Sequence, residues 1–171
     1  MRIAVLAKQV PAFAEMALGP DGRLQRDGVA AEMNPYCRRA VAQAVAWAAE
    51  RPGTEVTVIT LGPAPALNVL REAIAWGRDH GVPITGVLVA DPAFAGSDTL
   101  ATARALGAAL DCTGPFDLVL TGRNSVDADT GQVPAELAEL LGLPFLTGIR
   151  HATLGEHAVR ARCEHDDGSL E

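Results

Sequence analysis

The sequence predicts a single α/β domain in which helices cover both faces of an open parallel sheet. Short apolar segments alternate along the chain with segments of helical periodicity, an order typical of sheets built from β-α-β units. The apolar segments lack strict alternation of apolar and polar residues, which indicates strands buried on both faces. A chain of 171 residues with 49% hydrophobic content can bury one core of this kind. We therefore expect a three-layer domain.

Each predicted element has a signature of its own. Strands are predicted where apolar runs rich in leucine and β-branched residues are too short for helices, at residues 3–7, 56–61, 85–89 and 118–121. Helices are predicted where alanine-rich segments are long enough to cross the sheet, at residues 35–50, 65–76, 98–110 and roughly 133–141. Asn34 and Pro35 are typical of a helix start, and Gly77 and Gly142 are typical of the ends of the second and fourth helices.

Two stretches of the chain are less regular. Residues 8–33 contain the turn signals Gly19-Pro20-Asp21-Gly22 and Asp27-Gly28, which predict a small hairpin over the edge of the sheet. After Pro144, short strands are predicted at residues 145–147, 149–153 and 158–163. The turn signal Asp166-Asp167-Gly168 then predicts a return strand that is almost entirely missing. We expect one domain over residues 1–171, with an α/β core at 1–148 and an incomplete β-hairpin extension at 149–171.

The composition narrows the classes of function. A net charge of −7 gives no general attraction for nucleic acid or for an anionic membrane surface. No apolar segment has the length that membrane insertion requires. The 3 cysteines are widely spaced and lack a C-x-x-C pair, so they suggest neither a disulfide framework nor a zinc site. We predict no metal-binding residues. These features predict a cytoplasmic location.

No catalytic constellation can be assembled from the sequence. Neither G-x-G-x-x-G after the first strand nor G-x-x-x-x-G-K-[ST] is present, so neither of these phosphate-binding motifs is indicated. No nucleophile with its base and no acid–base pair can be recognised. We therefore predict that the chain is not an enzyme, and that any redox chemistry belongs to a bound cofactor.

The loop from Gly122 to Gln132 is the strongest candidate for a binding site. It follows a predicted strand and precedes a predicted helix, whose free amides and dipole attract phosphate. In an open parallel sheet, ligands bind outside the carboxyl ends of the strands, so the loops after the first, second and fourth strands are expected to converge. We expect Asp129 or Thr130 to cap the helix while Gly131 and Gln132 offer their amides. Asp127 would then hold a ribose hydroxyl or the loop itself.

Four motifs in this chain resemble those of electron transfer flavoprotein β subunits, in the same order and at similar spacing. They are Lys8-Gln9-Val10, Met33-Asn34-Pro35-Tyr36-Cys37, Leu61-Gly62-Pro63-Ala64 and the run from Val126 to Gln132, which is similar to the D-G-D-T-A-Q-V-G-P branch of the family. The resemblance covers essentially the whole chain. It implies a Rossmann-like adenine-nucleotide-binding fold.

The resemblance also implies a ligand and partners. The ligand would be AMP or, in the second branch, the adenosine end of an FAD. It would be surrounded by Leu6, Lys8, Asn34, Pro35, Tyr36, Cys37, Leu61, Gly62, Asn124, Asp127, Asp129, Thr130, Gly131, Gln132 and Val133. The partners would be an α-type subunit that carries the redox FAD, in a heterodimer, and the dehydrogenases that donate electrons to it.

The chain departs from the family pattern in two places. Pro134 stands where the branch has glycine, which removes an amide from the first turn of the helix and favours AMP over FAD. The lysine-rich docking loop and the C-terminal arm of the family are not found, so we expect a truncated chain that self-associates when isolated. The alternative is a stand-alone nucleotide-binding module of the universal-stress-protein kind. Its late G-x-x-G…G-S motif is absent, which favours the first interpretation.

Overall fold

The structure, a computed structural model, describes residues 1–12, 16–22, 24–26, 28–155, 158–165 and 168–170. The strands are β1 (Arg2–Ala7), β2 (Gln9–Pro11), β3 (Ala31–Met33), β4 (Glu55–Leu61), β5 (Ile84–Val89), β6 (Leu118–Thr121), β7 (Ile149–Leu154), β8 (Val159–His165) and β9 (Gly168–Leu170). The helices are α1 (Pro35–Glu50), α2 (Leu67–Asp79), α3 (Thr99–Thr113) and α4 (Gln132–Leu141).

The centre of the fold is a parallel sheet with the strand order β5-β4-β1-β6. Side chains of β1 alternate between the two faces: Ile3, Val5 and Ala7 pack with α1 and α2, and Ala4 and Leu6 pack with α3 and α4. The predicted three-layer α/β fold is therefore confirmed. The order of the strands changes direction at β1, because the chain runs outward through β4 to β5 and then returns to place β6 on the other side.

The helix boundaries correct one prediction and match another. Gly142 ends α4 with a φ of 62°, and the amide of Leu143 bonds the carbonyl of Ala138 as in a Schellman-type end. Gly77 does not end α2, which continues to Asp79. A Cβ at Gly77 would lie 2.5 Å from the carbonyl oxygen of Val82, so this glycine permits close packing instead of stopping the helix.

The hairpin predicted before α1 is present. Strands β2 and β3 pair antiparallel, and Gln9 Nε2 donates to the carbonyl of Pro65 at 3.0 Å, which ties the hairpin to the segment after β4. The second predicted turn includes Asp27, which lies outside the described residues.

The C-terminal strands differ from the prediction in one respect and agree with it in another, a very short return strand. Residues 145–147 do not form a strand, because the chain there pairs with no neighbouring strand among the described residues. The return strand is present as β9, which pairs antiparallel with β8, and β8 pairs with β7. The turn residues Asp166 and Asp167 lie outside the described residues. The hairpin extension is thus a three-stranded sheet.

Arg2 connects the parallel strands at their amino ends, opposite the carboxyl ends where ligands are expected. Its guanidinium donates to the carbonyls of Thr113 (3.0 Å) and Pro115 (2.7 Å) and to the carboxylate of Glu55 (3.2 Å), and its backbone amide donates to Asp117 (2.7 Å). One residue therefore joins β1, β4 and the segment before β6.

None of the described helices combines the length and apolar character needed to cross a bilayer.

Candidate functional site

Three segments meet at the carboxyl ends of β1 and β6. They are Lys8 after β1, Asn34 before α1, and residues 122–131, which we call the β6–α4 loop. The amide of Asn34 donates to the carbonyl of Lys8 at 2.9 Å, and Lys8 Nζ donates to Ser125 Oγ of the loop at 3.1 Å. This edge is the point where the strand order reverses, which is the usual position of a ligand in an open α/β sheet.

Asn34 holds the β6–α4 loop against the start of α1. Its side chain is fully buried, and Nδ2 donates to the carbonyl of Asn124 at 2.8 Å while Oδ1 accepts from the amide of Val126 at 3.2 Å. Nδ2 also lies 3.2 Å from Cys37 Sγ. Asn34 occupies the N-cap position as predicted, but its side chain caps no amide of α1, because it is committed to the loop.

The loop begins in close contact with α1. A Cβ at Gly122 would lie 3.0 Å from Tyr36 Cβ and 3.1 Å from the amide nitrogen of Cys37, so a larger residue would push the two segments apart. Cys37 is buried, and burial raises the pKa of its thiol although the hydrogen bond from Asn34 acts in the opposite direction. The guanidinium of Arg39 lies 5.6 Å from the centre of the Tyr36 ring, which is half-buried.

Asp127 holds the loop itself, the second of the two roles expected for it. Its side chain has 0% exposure, with Lys8 Nζ 2.8 Å from Oδ1 and Arg26 Nη2 2.9 Å from Oδ2. Burial alone would raise the pKa of Asp127, but the hydrogen bonds and charge of these cations outweigh it, so the pKa lies below its ordinary value. The negative charge of Asp127 is therefore compensated within the loop.

The predicted cap of α4 is wrong. Gly131 occupies the N-cap position with a φ of 64°, and no side chain among the described residues caps the helix. Asp129 has a φ of 54°, its amide donates to the carbonyl of Ser125, and its carboxylate accepts a hydrogen bond from Asn124 Nδ2 instead. Because the backbone turns left-handed at Asp129, its carboxylate bonds back into the loop and makes no hydrogen bond to an amide of α4. Thr130 is exposed and makes no cap either.

The first amides of α4 are consequently unpaired. In the described part of the chain, the N–H groups of Gln132 and Val133 have no hydrogen-bond acceptor, as expected for the first turn of an uncapped helix. Pro134 follows and has no N–H. Two amides and the positive end of a helix dipole thus face the end of the loop, a combination that favours an anion.

The remaining predicted residues lie around this edge in different ways. Leu6 is 7% exposed and belongs to the core beneath α3 and α4, and Leu61 packs against the same core. The amide of Gly62 donates to the carbonyl of Val89 at 3.0 Å, and Pro35 is exposed at the start of α1. Among the described residues, no hydrogen bond joins Leu61 or Gly62 to the β6–α4 loop.

Sequence reasoning missed two residues that shape the site, Arg26 and Ser125. Arg26 belongs to the irregular segment between β2 and β3, where no periodicity predicts its contact with a loop 101 residues away.

A separate open groove of about 670 Å³ runs along α3 beside β5 and contains none of the predicted site residues. The described residues contain no group of histidine, cysteine and acidic side chains suited to a metal ion.

The protein is thus an α/β domain whose loops converge at the carboxyl end of β1, the strand at which the strand order of the parallel sheet reverses. A model of the electron transfer flavoprotein domain matches residues 21–171 of this chain. The chain therefore belongs to the electron transfer flavoprotein family, and relatives named as β subunits are among its matches. This membership favours the interpretation drawn from the four motifs over the universal-stress-protein kind.

Similar proteins extend over nearly the whole chain. It is 38% identical to the caffeyl-CoA reductase-Etf complex subunit CarD of Acetobacterium woodii over 169 residues. This match covers 98% of this chain and 63% of that protein. The electron transfer flavoprotein subunit beta of Clostridium acetobutylicum is also 38% identical, over 98% of this chain and 62% of that protein. The acryloyl-CoA reductase electron transfer subunit gamma of Anaerotignum propionicum is 42% identical over 86% of this chain and 54% of its own length. The chain thus spans about three fifths of the curated relatives it matches.

Proposed function

We propose that this chain binds an adenine nucleotide, AMP in the first place, at the edge formed by Lys8, Asn34 and the β6–α4 loop. The observation that carries the proposal is the pair of unpaired amides on Gln132 and Val133, at a helix start that opens beside the reversal point of the sheet. An anionic phosphate is the group that such amides and the helix dipole recognise.

The side chains around the proposed nucleotide site have different roles in binding. Each oxygen of the Asp127 carboxylate already accepts from a cation, Lys8 or Arg26, which supports a role in stabilising the loop over a role as a ribose ligand. Asp127 is paired with two cations, Lys8 and Arg26, so its negative charge at the loop is compensated and does not by itself repel a phosphate. Leu61, which is half-buried at the end of β4, offers an apolar side chain that suits the face of a base, whereas Leu6 is buried in the core.

The first turn of α4 favours AMP over FAD. Pro134 is the third residue of the helix and has no N–H, so the first turn of α4 offers one amide fewer than an ordinary helix start. A helix start with fewer amides suits one phosphate better than a diphosphate. FAD remains the alternative ligand of the same site.

The proposed role of the nucleotide-bound domain is that of a β-type subunit in an electron-transferring complex. Its partner would be an α-type subunit carrying the redox FAD, and the complex would pass electrons from a dehydrogenase. The support is the family membership and the names of the relatives, which describe electron transfer subunits. Apolar side chains that are 41–57% exposed at Leu143, Phe145, Leu146 and Ile149 offer a surface for a protein partner or, in the isolated chain, for self-association.

A matched pair of glycine variants tests the nucleotide site. Gly131→Ala and Gly142→Ala each place a side chain at a left-handed residue, with φ of 64° and 62°, at opposite ends of α4. Both should lose about 1 to 2 kcal/mol of stability. Calorimetric titration with AMP, ADP and FAD should show saturable binding to the wild type and to Gly142→Ala, and weaker binding to Gly131→Ala, because only Gly131 orients the first amides of the helix.

The outcomes of this experiment separate the parts of the proposal. Absence of saturable binding of all three nucleotides by the folded wild type would contradict the nucleotide site. Equal losses of affinity in the two variants would show that Gly131 has no special role. The same protein, mixed with an α-type subunit, should co-elute with it on size exclusion if the β-type role is correct.

A further inference from the structure

Arg26, in the segment between β2 and β3, forms an ion pair with Asp127 of the β6–α4 loop. Its Nη2 lies 2.9 Å from Asp127 Oδ2, while Lys8 Nζ lies 2.8 Å from Oδ1, so each oxygen of one carboxylate is taken by a cation from a different segment. The side chain of Asp127 has 0% exposure, compared with 55% for Arg26 and 41% for Lys8. The carboxylate is thus enclosed by its two partners.

The contact joins parts of the chain that are not paired by strands. Residues 24–26 belong to the excursion between β2 and β3, and the β6–α4 loop belongs to the edge of the parallel sheet. Exposed ion pairs contribute little to stability, but a carboxylate removed from water depends on its partners, because an unpaired buried charge is strongly unfavourable. Loss of Arg26 would leave Oδ2 without its ionic partner.

The turn that Asp127 belongs to leads directly to the amides of α4. Lys8 Nζ holds Ser125 Oγ, and the amides of Ala128 and Asp129 both donate to the carbonyl of Ser125. Asp127 is therefore inside a closed turn whose next residues are Thr130 and the left-handed Gly131. Movement of Asp127 would move the start of the helix.

We propose that Arg26 is a positioning residue for the nucleotide site: by holding Asp127 Oδ2 it fixes the β6–α4 loop and, through it, the amides of Gln132 and Val133. This inference rests on the proposed function, and it extends the site to Arg26, a residue of the segment between β2 and β3 that contacts Asp127. Because coupling between two sites is reciprocal, a bound nucleotide should in turn protect the segment around Arg26.

Two variants of Arg26 and one control test the proposal. Arg26→Ala removes the ionic partner, Arg26→Lys keeps the charge but not the fork geometry, and Arg150→Ala removes an exposed partner of Glu164 in the distant antiparallel sheet. The readouts are amide hydrogen exchange of residues 125–133 without nucleotide, and the Kd for AMP by calorimetry. We expect Arg26→Ala to raise exchange in this loop several-fold and to weaken AMP binding by about tenfold, within the range seen for residues that act on a site without contacting its ligand. Arg26→Lys should recover part of both effects, and Arg150→Ala should change neither.

The two readouts distinguish this inference from the proposed function. If the wild type does not bind AMP, ADP or FAD, the proposed function fails, while loop exchange still decides whether Arg26 fixes the loop. Unchanged exchange at residues 125–133 in Arg26→Ala would overturn the inference. A uniform rise in exchange, including the core of α3, would also overturn it, because that pattern indicates a general loss of stability.

Discussion

Substitution of Asn34 by alanine tests whether one buried side chain joins the β6–α4 loop to α1. The change removes the partners of the Asn124 carbonyl and the Val126 amide, which lie 2.8 Å and 3.2 Å from the Asn34 side chain. Each backbone group left unpaired costs about 1 to 3 kcal/mol when water cannot replace the partner. The loop is partly exposed, so we expect a total near the lower half of the range, about 2 to 4 kcal/mol.

The expected loss is large compared with the total stability of a domain, which is typically about 5 to 15 kcal/mol. In a protein of this size it corresponds to a fall in Tm of roughly 5 to 15 °C. Urea denaturation without nucleotide measures the effect directly and avoids any contribution from ligand binding. The m-value should not change, because the folded state remains equally compact.

Asn68→Ala is the matched control. Asn68 is exposed on α2 and accepts one hydrogen bond from Arg71, so its loss should change stability by less than about 0.5 kcal/mol. If Asn34→Ala and Asn68→Ala have the same denaturation midpoint, the inference that Asn34 holds the loop is wrong. A lower midpoint for Asn34→Ala confirms it even if no nucleotide binds.

Two further predictions concern packing and pH. Gly77→Ala should destabilise the fold by about 1 to 3 kcal/mol, because its Cβ would lie 2.5 Å from the Val82 carbonyl oxygen. Gly107→Ala should stabilise α3 by about 0.5 to 1 kcal/mol, because its Cβ would meet side chains no closer than 3.5 Å. Equal denaturation midpoints of the two variants would contradict this contrast. The lowered pKa of Asp127 means that its stabilisation is present above the ordinary pKa of about 3.9 and is lost as pH falls through the lowered value. Denaturation midpoints measured from pH 5 to 2 should therefore fall less steeply in Asp127→Asn than in the wild type, and parallel curves would show that Asp127 is not the group responsible.

Local patterns in the sequence were sufficient to predict the strands of the parallel sheet and the helices that cover it. The strand at Leu118–Thr121 and the helix at Pro35–Glu50 are where the patterns placed them, because hydrophobic periodicity and a proline at the first helical position act within a few residues. Gly77 misled the prediction of a helix end, since glycine serves close packing as well as chain reversal.

The candidate site was only partly predictable, because its geometry depends on contacts between distant segments. Asn34 was recognised as a helix start, but its bond to Asn124 spans 90 residues and leaves no local signal. Asp129 has a typical capping side chain, yet its left-handed backbone places the carboxylate on Asn124. The pairing of Arg26 with Asp127 depends on how the β2–β3 excursion folds over the sheet, which composition and spacing do not determine.

The two ends of β1 are fastened by different residues, and this separation is useful for protein engineering. Arg2 joins the beginnings of the strands, and Lys8 joins the carboxyl end of β1 to the β6–α4 loop. The strand has 6 residues, so the two ends lie about 20 Å apart and substitutions at them should have additive effects on the free energy of unfolding. A variant stabilised at the Arg2 edge would therefore serve as a background in which damaging substitutions in the loop can be purified and titrated in the folded state.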